Sequence, residues 1–333
     1  MIDNRGSRYL GPLQAYLGLI LNDAIGLGER ISLIGVTAPI HRELGFVSGS
    51  YEQPIGSSGL RLNAFGSYTL TRPGDELRAL DLHGRSATWG LGLRYPLVRS
   101  RQGNLIARVT FTARNSKSDN DLIDPIFNDR IRTVTGEMLA NYAAPWGGLF
   151  SAQVSITKGL SLLDATRSGY AAKSRATGTA QGLRANFEMS LTQPITDGLY
   201  VQLSSAGQYS DDSLLAAEEF GLGGDQFGHA YDPSEITGDK AIAGRAELFY
   251  MTPRARWGWV EPYAFYEGGA VYQNDPLPGE KTKTALKSAG GGLRAKLDKG
   301  LSASLEYAKP LGRRVAARGD KDGRVFFSMS AAF

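Results

Sequence analysis

The sequence predicts an all-β protein, a transmembrane antiparallel β-barrel of about sixteen strands. Three observations carry that prediction. Apolar and polar residues alternate along short segments throughout the 333 residues, which is the period of a two-faced strand and not of a helix. Tight and long connectors alternate along most of the chain, the asymmetry of a barrel with short turns at one membrane surface and long loops at the other. No run of 18 apolar residues occurs, so a membrane-spanning helix is excluded while spanning strands are not.

In chain order the predicted strands are 1–8, 10–22, 29–38, 44–53, 60–71, 86–96, 104–115, 131–145, 149–158, 178–194, 199–211, 240–251, 260–272, 285–297, 301–309 and 324–333. Several show the pattern clearly. SATWGLGLRYP sets Trp89, Leu91, Leu93 and Tyr95 against Gly90, Gly92 and Arg94. LIARVTFTAR sets Leu105, Ala107, Val109, Phe111 and Ala113 against Arg108, Thr110, Thr112 and Arg114. In TAQGLRANFEMSLTQ, Leu183, Phe187 and Met189 oppose Arg184, Asn186 and Glu188; in LSASLEYAKP, Leu301, Leu305 and Tyr307 oppose Ser302, Ser304 and Glu306. The closing RVFFSMSAAF aligns Val325, Phe327, Met329, Ala331 and Phe333 on one face, since successive side chains alternate sides.

Turn residues mark the tight connectors: DAIGLG (23–28), PIGSSG (54–59), WGG (146–148), ITDG (195–198) and DKG (298–300). Glycine supplies positive φ there at little cost. The long connectors are 72–85, 115–130, 158–176, 212–240, 273–285 and 309–323. Aromatic residues such as Tyr95, Tyr142, Trp146, Tyr200, Tyr250, Trp257, Trp259 and Tyr263 sit near strand ends, where amphipathic rings form girdles at the headgroup level. A sandwich or propeller would need apolar faces packed inward and no such loop asymmetry.

Composition narrows the function. The chain has 37 basic and 33 acidic residues for a net charge of +4, scattered singly, which disfavours nucleic-acid binding. It has no Cys and three His, His41, His83 and His229, in separate segments. That leaves no Cys nucleophile and no His-based metal site at useful spacing. No G-x-S-x-G elbow sits on a strand-to-helix turn. The acidic run DPSEITGD (232–239) lacks the spacing of a calcium loop. The expectation is a protein without catalytic residues, cofactor or metal. MIDNRGSRYL has neither the basic nor the apolar region of a signal peptide, so upstream sequence is expected to precede this segment.

The connector before the twelfth strand, EEFGLGGDQFGHAYDPSEITGDKAIAGRAELFY (218–250), is the longest irregular stretch. A GLGG run without a following helix is not a phosphate loop. Phe220, Leu222, Phe227, Ala230 and Tyr231 argue for a segment that folds back into the lumen and packs there, and loops of this length are usually functional or disordered.

Here the chain resembles the barrel domain of the two-partner secretion transporters, the haemolysin secretion/activation family, which shares a superfamily with the outer-membrane insertases. IDNRGSRYLGP resembles the family's barrel entry, FGLGGDQFGHAYDPSEITGD its sixth-loop signature, and PYAFYEGGAVY the Phe-x-Asp-x-Gly motif of the thirteenth strand. By position, Gly223 and Gly224 match the Gly pair, with Phe227 and Gly228 leading to the tip. His229, Ala230 and Tyr231 form the tip, with His229 where the family places Arg, and Gly238 and Asp239 close the motif. Phe265, Glu267 and Gly269 match the strand motif. The resemblance implies that the tip enters the lumen and that His229 contacts Glu267, more weakly than Arg would or with pH dependence. Parity assigns Phe265, Glu267 and Gly269 to the lumen if Ala264, Tyr266 and Ala270 face lipid. Phe327, Met329 and the terminal Phe333 resemble the family's C-terminal assembly signal.

What the resemblance implies overall is a bacterial outer-membrane pore, a single barrel domain over 1–333, that exports an unfolded secreted partner protein. Its signal peptide and periplasmic POTRA domains would lie upstream. Expected partners are that exoprotein, outer-membrane lipid and the barrel assembly machinery, with the pore a monomer. An outer-membrane assembly or insertion factor is the second reading, a diffusion porin the third.

Overall fold

A computed structural model describes residues 1–39, 43–297 and 300–333. His41 and the first two residues of the 298–300 turn lie outside the described residues. The strands are β1 Ile2–Asp3, β2 Gln14–Asn22, β3 Arg30–Thr37, β4 Leu44–Ile55, β5 Leu60–Thr71, β6 His83–Arg99, β7 Gly103–Asp119, β8 Phe127–Ala143, β9 Leu149–Gly159, β10 Leu183–Thr196, β11 Leu199–Tyr209, β12 Phe220–Leu222, β13 Ile236–Gly238, β14 Lys240–Tyr250, β15 Gly258–Tyr272, β16 Lys283–Leu297, β17 Leu301–Pro310 and β18 Arg324–Ala331.

Sixteen of them close one antiparallel barrel in sequence order, with β14 pairing directly with β11. The remaining two, β12 and β13, form a separate hairpin inside the β11–β14 connection. The barrel closes where β18 meets β1, at Ile2↔Met329 and Asp3↔Ser328. Each strand thus finds its hydrogen-bond partners in its neighbours, which lets a strand cross a membrane without unpaired backbone groups.

Parity decides which side chains meet lipid. Leu17, Val47, Leu91, Val109, Ile156, Leu203, Tyr266, Leu305 and Met329 are exposed on the outer surface. The opposite parity carries ion pairs and hydroxyls: Arg61–Glu52 at 2.7 Å, Arg108–Glu137 at 2.9 Å, Arg294–Glu247 at 2.6 Å, and Ser151 Oγ with Ser190 Oγ at 2.9 Å. Ala264 and Tyr266 point outward, whereas Ala270 keeps that parity but is buried between its partners Ile242 and Ala285.

Differences from the expected elements have local causes. The strand expected over 1–8 ends at Asp3. Asn4 and Arg5 commit their side chains elsewhere: Asn4 Nδ2 donates to the Val325 carbonyl (3.0 Å), Phe327 N–H donates to Asn4 Oδ1 (2.7 Å), and Arg5 pairs with Glu306 (2.9 Å). The tenth strand starts at Leu183 and not 178 because the preceding backbone bonds to another loop, Thr179 N–H donating to the Ser213 carbonyl at 2.8 Å. Strands β6, β7 and β8 run for 17 residues each, beyond the ~9–11 a membrane requires, and so project past the bilayer on the long-loop side. Among the girdle aromatics, Tyr95, Tyr142, Trp146, Tyr250 and Trp257 are exposed near the short-turn rim. Tyr200, Trp259 and Tyr263 instead have lumenal parity: Tyr200 stacks on Phe249 with centroids 5.2 Å apart, and Trp259 and Tyr263 line a lumenal pocket. Position near a strand end does not settle which face a ring takes.

Candidate functional site: a loop seated in the barrel lumen

Residues 210–239 connect β11 to β14 and descend into the lumen. Their stem is the β12–β13 hairpin, registered Phe220↔Gly238 and Leu222↔Ile236. Leu222, Phe227, Ala230, Tyr231 and Ile236 form one buried cluster with Ala243, Tyr263, Phe265, Val271, Leu286, Ala308, Val315 and Phe326. The apolar loop residues therefore pack on the β14–β18 wall and not in lipid, and burial of such side chains contributes roughly 25 cal/mol per Å² of apolar area.

Two glycines permit the seating. Gly223 has φ +122°, and a Cβ there would collide with the Asp232 carbonyl across the loop. Gly269 on β15 leaves room for Leu222, whose Cδ1 lies 2.8 Å from where a Cβ would stand. Gly224 and Gly228 also adopt positive φ, and Gly223 N–H donates to the Phe227 carbonyl at 2.8 Å.

The tip meets the wall at Glu267. His229 Nδ1 lies 3.0 Å from Glu267 Oε2 and 3.1 Å from Oε1, and the His229 backbone N–H donates to Oε1 at 2.6 Å. Ser288 Oγ donates to the same oxygen at 2.5 Å. The imidazole rests on Phe265, with ring centroids 4.6 Å apart. On its other side, Nε2 is 3.2 Å from Arg245 Nη1. Arginine carries only donors, so Nε2 must accept and Nδ1 holds the proton that it donates to Glu267. The contact is thus a chain, carboxylate to imidazole to guanidinium, in a site where His229 and Glu267 are both buried. The cation expected at the loop tip is supplied by Arg245 on the barrel, and arginine is charged at every physiological pH.

Beyond the tip, Tyr231 Oη donates to the carbonyls of Lys287 (3.1 Å) and Arg313 (3.2 Å), Asp232 pairs with Arg324 (2.7 Å), and the Ala316 N–H donates to Glu235 Oε1 (2.6 Å). At the loop's return, Asp239 is fully buried. It accepts from Arg175 at 2.6 Å, from Leu214 N–H at 2.7 Å and from Asn274 N–H at 2.9 Å. One carboxylate so joins the β9–β10, β11–β12 and β15–β16 connections. Gly238 ends β13 just before it. Phe327, Met329 and Phe333 are exposed and take no part in this cluster, Phe327 and Met329 lying on the outer face of β18.

Sequence reasoning did not find Arg245 or Ser288. The signal existed in the register: Arg245 pairs with Glu267 across β14–β15, and Ser288 pairs with it across β15–β16. Arg175 and Asn274 come from distant loops and leave no local pattern. His83 and Ser86 do not pair: Ser86 Oγ bonds Ser116 Oγ at 3.0 Å, while His83 lies near Asp81 (3.5 Å) and Asp119 (3.7 Å).

The seated loop leaves space on the opposite side. A cavity of about 490 Å³ separates Asp225, Gln226 and Phe227 from Gln153, Glu188, Ser190 and Ser204. A second, of about 690 Å³, opens at the short-turn rim between Arg30, Glu52, Arg61, Arg94 and Arg99.

Comparison with known proteins agrees with this architecture. The family model of the haemolysin secretion/activation protein ShlB/FhaC/HecB matches residues 1–295. The heme/hemopexin transporter protein HuxB of Haemophilus influenzae is 20% identical over 318 residues, covering 94% of this chain and 56% of HuxB. The chain therefore spans little more than half the length of that curated relative. CdiB from Escherichia coli superposes with a TM-score of 0.85 at 19% identity, covering all of this chain and 62% of CdiB. CdiB from Acinetobacter baumannii gives 0.75 at 17% identity, over 98% of this chain and 58% of its own. BamA from Haemophilus ducreyi gives 0.67 at 14% identity, over 99% and 69%. With a matching family model over most of its length and a closed barrel of sixteen strands, the chain belongs to the haemolysin secretion/activation family of bacterial outer-membrane β-barrels.

Proposed function

We propose that residues 1–333 act as one pore domain that exports an unfolded secreted partner protein across the outer membrane. The observation that carries this reading is the division of the lumen. The loop occupies the β14–β18 side, while the other side holds open cavities of mixed lining, in which Ser, Gln, Glu and Arg alternate with small and apolar residues. A sixteen-stranded barrel encloses an aqueous passage, and hydroxyls, amides and charges spaced along that wall keep it wet enough for an extended chain to pass. No nucleotide-binding signal accompanies it, so partner folding outside the cell supplies the direction. Capture of the partner's signal domain falls to the periplasmic POTRA domains that the family resemblance implies. Under this proposal the pore works as a monomer in outer-membrane lipid, has no catalytic role, and presents Phe327, Met329 and Phe333 to the barrel assembly machinery.

The test is export of a secreted partner encoded beside this gene. Deleting 221–239 is expected to abolish export while the barrel still assembles in the outer membrane. Undiminished export would refute the role given to the loop. Loss of outer-membrane protein insertion across many substrates, with partner export intact, would favour the insertion-factor reading, to which the superposition on BamA points more weakly.

A further inference from the structure

We propose that the outer surface of β16 and β17, at the long-loop rim, binds phosphate-bearing lipid headgroups of the outer leaflet. Lys283, Lys287 and Lys309 share the outward parity of Leu293, Leu305 and Tyr307 and are exposed. Lys309 pairs with Ala289, which places Lys287 diagonally beside it on the same face, a separation of roughly 7–8 Å. Just above them a depression of about 490 Å³ is lined by Lys281, Lys283, Arg313 and Arg314 and by no acidic residue.

Most other outward-facing cations near this rim have an acidic partner, Lys158 donating instead to the Gln181 carbonyl at 2.8 Å. Arg85 pairs with Asp119 (2.7 Å), Lys117 with Asp119 and Asp124, Arg130 with Asp164 (3.8 Å) and Lys240 with Asp211 (3.2 Å). Among the described residues none of Lys281, Lys283, Lys287, Lys309, Arg313 and Arg314 forms an ion pair. Of the neighbouring acids, Glu280 accepts from Leu277 N–H and Asp320 faces Arg318, while Glu235, which accepts from Ala316 N–H, lies near enough to Arg313 to interact with its charge. Lys283 also lies over the Tyr272 ring at 5.3 Å, an aromatic at the height where rings favour the headgroup layer. Long cationic side chains on a lipid-facing surface extend to that layer, and six of them gathered at one rim with no ion-pair partner among the described residues match a headgroup bearing phosphates. A phosphorylated glycolipid meets that requirement, with its acyl chains against Leu293, Leu305 and Tyr307 below.

The experiment uses the protein purified from outer membranes and placed in nanodiscs. Retention of the bis-phosphorylated outer-leaflet glycolipid is compared with that of its dephosphorylated form by native mass spectrometry. The parent protein is expected to retain the phosphorylated form selectively. The combined Lys283→Gln, Lys287→Gln and Lys309→Gln variant should lose about a hundredfold in affinity, whereas the corresponding Lys→Arg variant should keep it. Equal retention of both lipid forms by the parent protein would overturn the proposal, as would equal affinity of the Gln variant. Inorganic phosphate displacing the lipid at matched concentration, or an acidic peptide binding in its place, would overturn the assignment to lipid.

Discussion

Replacing Glu267 with Gln keeps the volume and removes the charge at the point where the loop tip meets the wall. Every group around this carboxylate donates: the His229 N–H, His229 Nδ1–H and the Ser288 hydroxyl. A Gln amide puts an NH₂ donor against one of them. The imidazole cannot answer by moving its proton to Nε2, because Arg245 at 3.2 Å already donates there. Charge-assisted hydrogen bonds contribute roughly 1.5–3 kcal/mol each, and breaking a buried charged contact from one side costs about 3–5 kcal/mol. At 1.4 kcal/mol per tenfold, the population with the tip unseated should rise by about a hundredfold to a few thousandfold. The chain has no Cys, so Ala230→Cys at the fully buried tip gives a single reporter. Its labelling rate by a water-soluble maleimide reads that population directly. The imidazole tautomer allows a sharper check. Combining Glu267→Gln with Arg245→Met frees Nε2 to carry the proton and Nδ1 to accept from the amide, so the second change should restore at least about tenfold of the protection. A labelling rate within threefold of the parent for Glu267→Gln, or simple additivity in the double variant, would refute this account of the contact.

Three further outcomes are expected. Asp239→Asn should speed hydrogen exchange at the Leu214 and Asn274 amides, which both donate to this carboxylate, while exchange in β2–β5 stays unchanged. Leu305→Arg, midway along β17 on the outer face, should destabilise the folded barrel in bilayers by about 2–4 kcal/mol, read from equilibrium folding into lipid vesicles. At the β2–β3 turn, burial pushes the Glu29 carboxyl up, but N–H donation from Ile25 and Leu27 (2.9 and 3.1 Å) outweighs it and holds the group below its ordinary value. A depressed carboxyl contributes stability that is complete above its unfolded pKa and lost as pH falls through the folded one. Exchange protection of the Ile25 and Leu27 amides should therefore fall on acidification below about pH 4, and Glu29→Gln should remove that dependence.

Much of the barrel was legible because the bilayer imposes a local rule. One face of each strand must be apolar and the other need not be, so period-two alternation marks strands such as β6, β7 and β17 directly, and Gly- and Asp-rich turns mark their ends. The predicted 60–71 and 199–211 match β5 and β11 to within two residues. The first strand failed because what ends it, the Asn4 side chain bonding to the β18 backbone at Val325 and Phe327 and Arg5 pairing with Glu306 on β17, lies 301 to 323 residues away in the chain. The inward turn of Tyr200 and Tyr263 was hidden for a similar reason, since nearness to a strand end does not fix parity.

The candidate site divides along the same line. The loop's Gly and aromatic residues announce themselves by composition, because a loop that packs inside a barrel needs apolar groups and glycines within a short stretch, whereas Phe265 and Glu267 were singled out by resemblance to the family's strand motif and placed in the lumen by parity. Arg245, Ser288, Arg175 and Asn274 could not be read that way: their partners lie 22, 21, 64 and 35 residues away in the chain, and only strand register and loop docking bring them together. Alternation along the chain thus determined the barrel, and tertiary closure decided which cation faces His229, because electrostatic contacts depend on distance through space and not on separation in sequence.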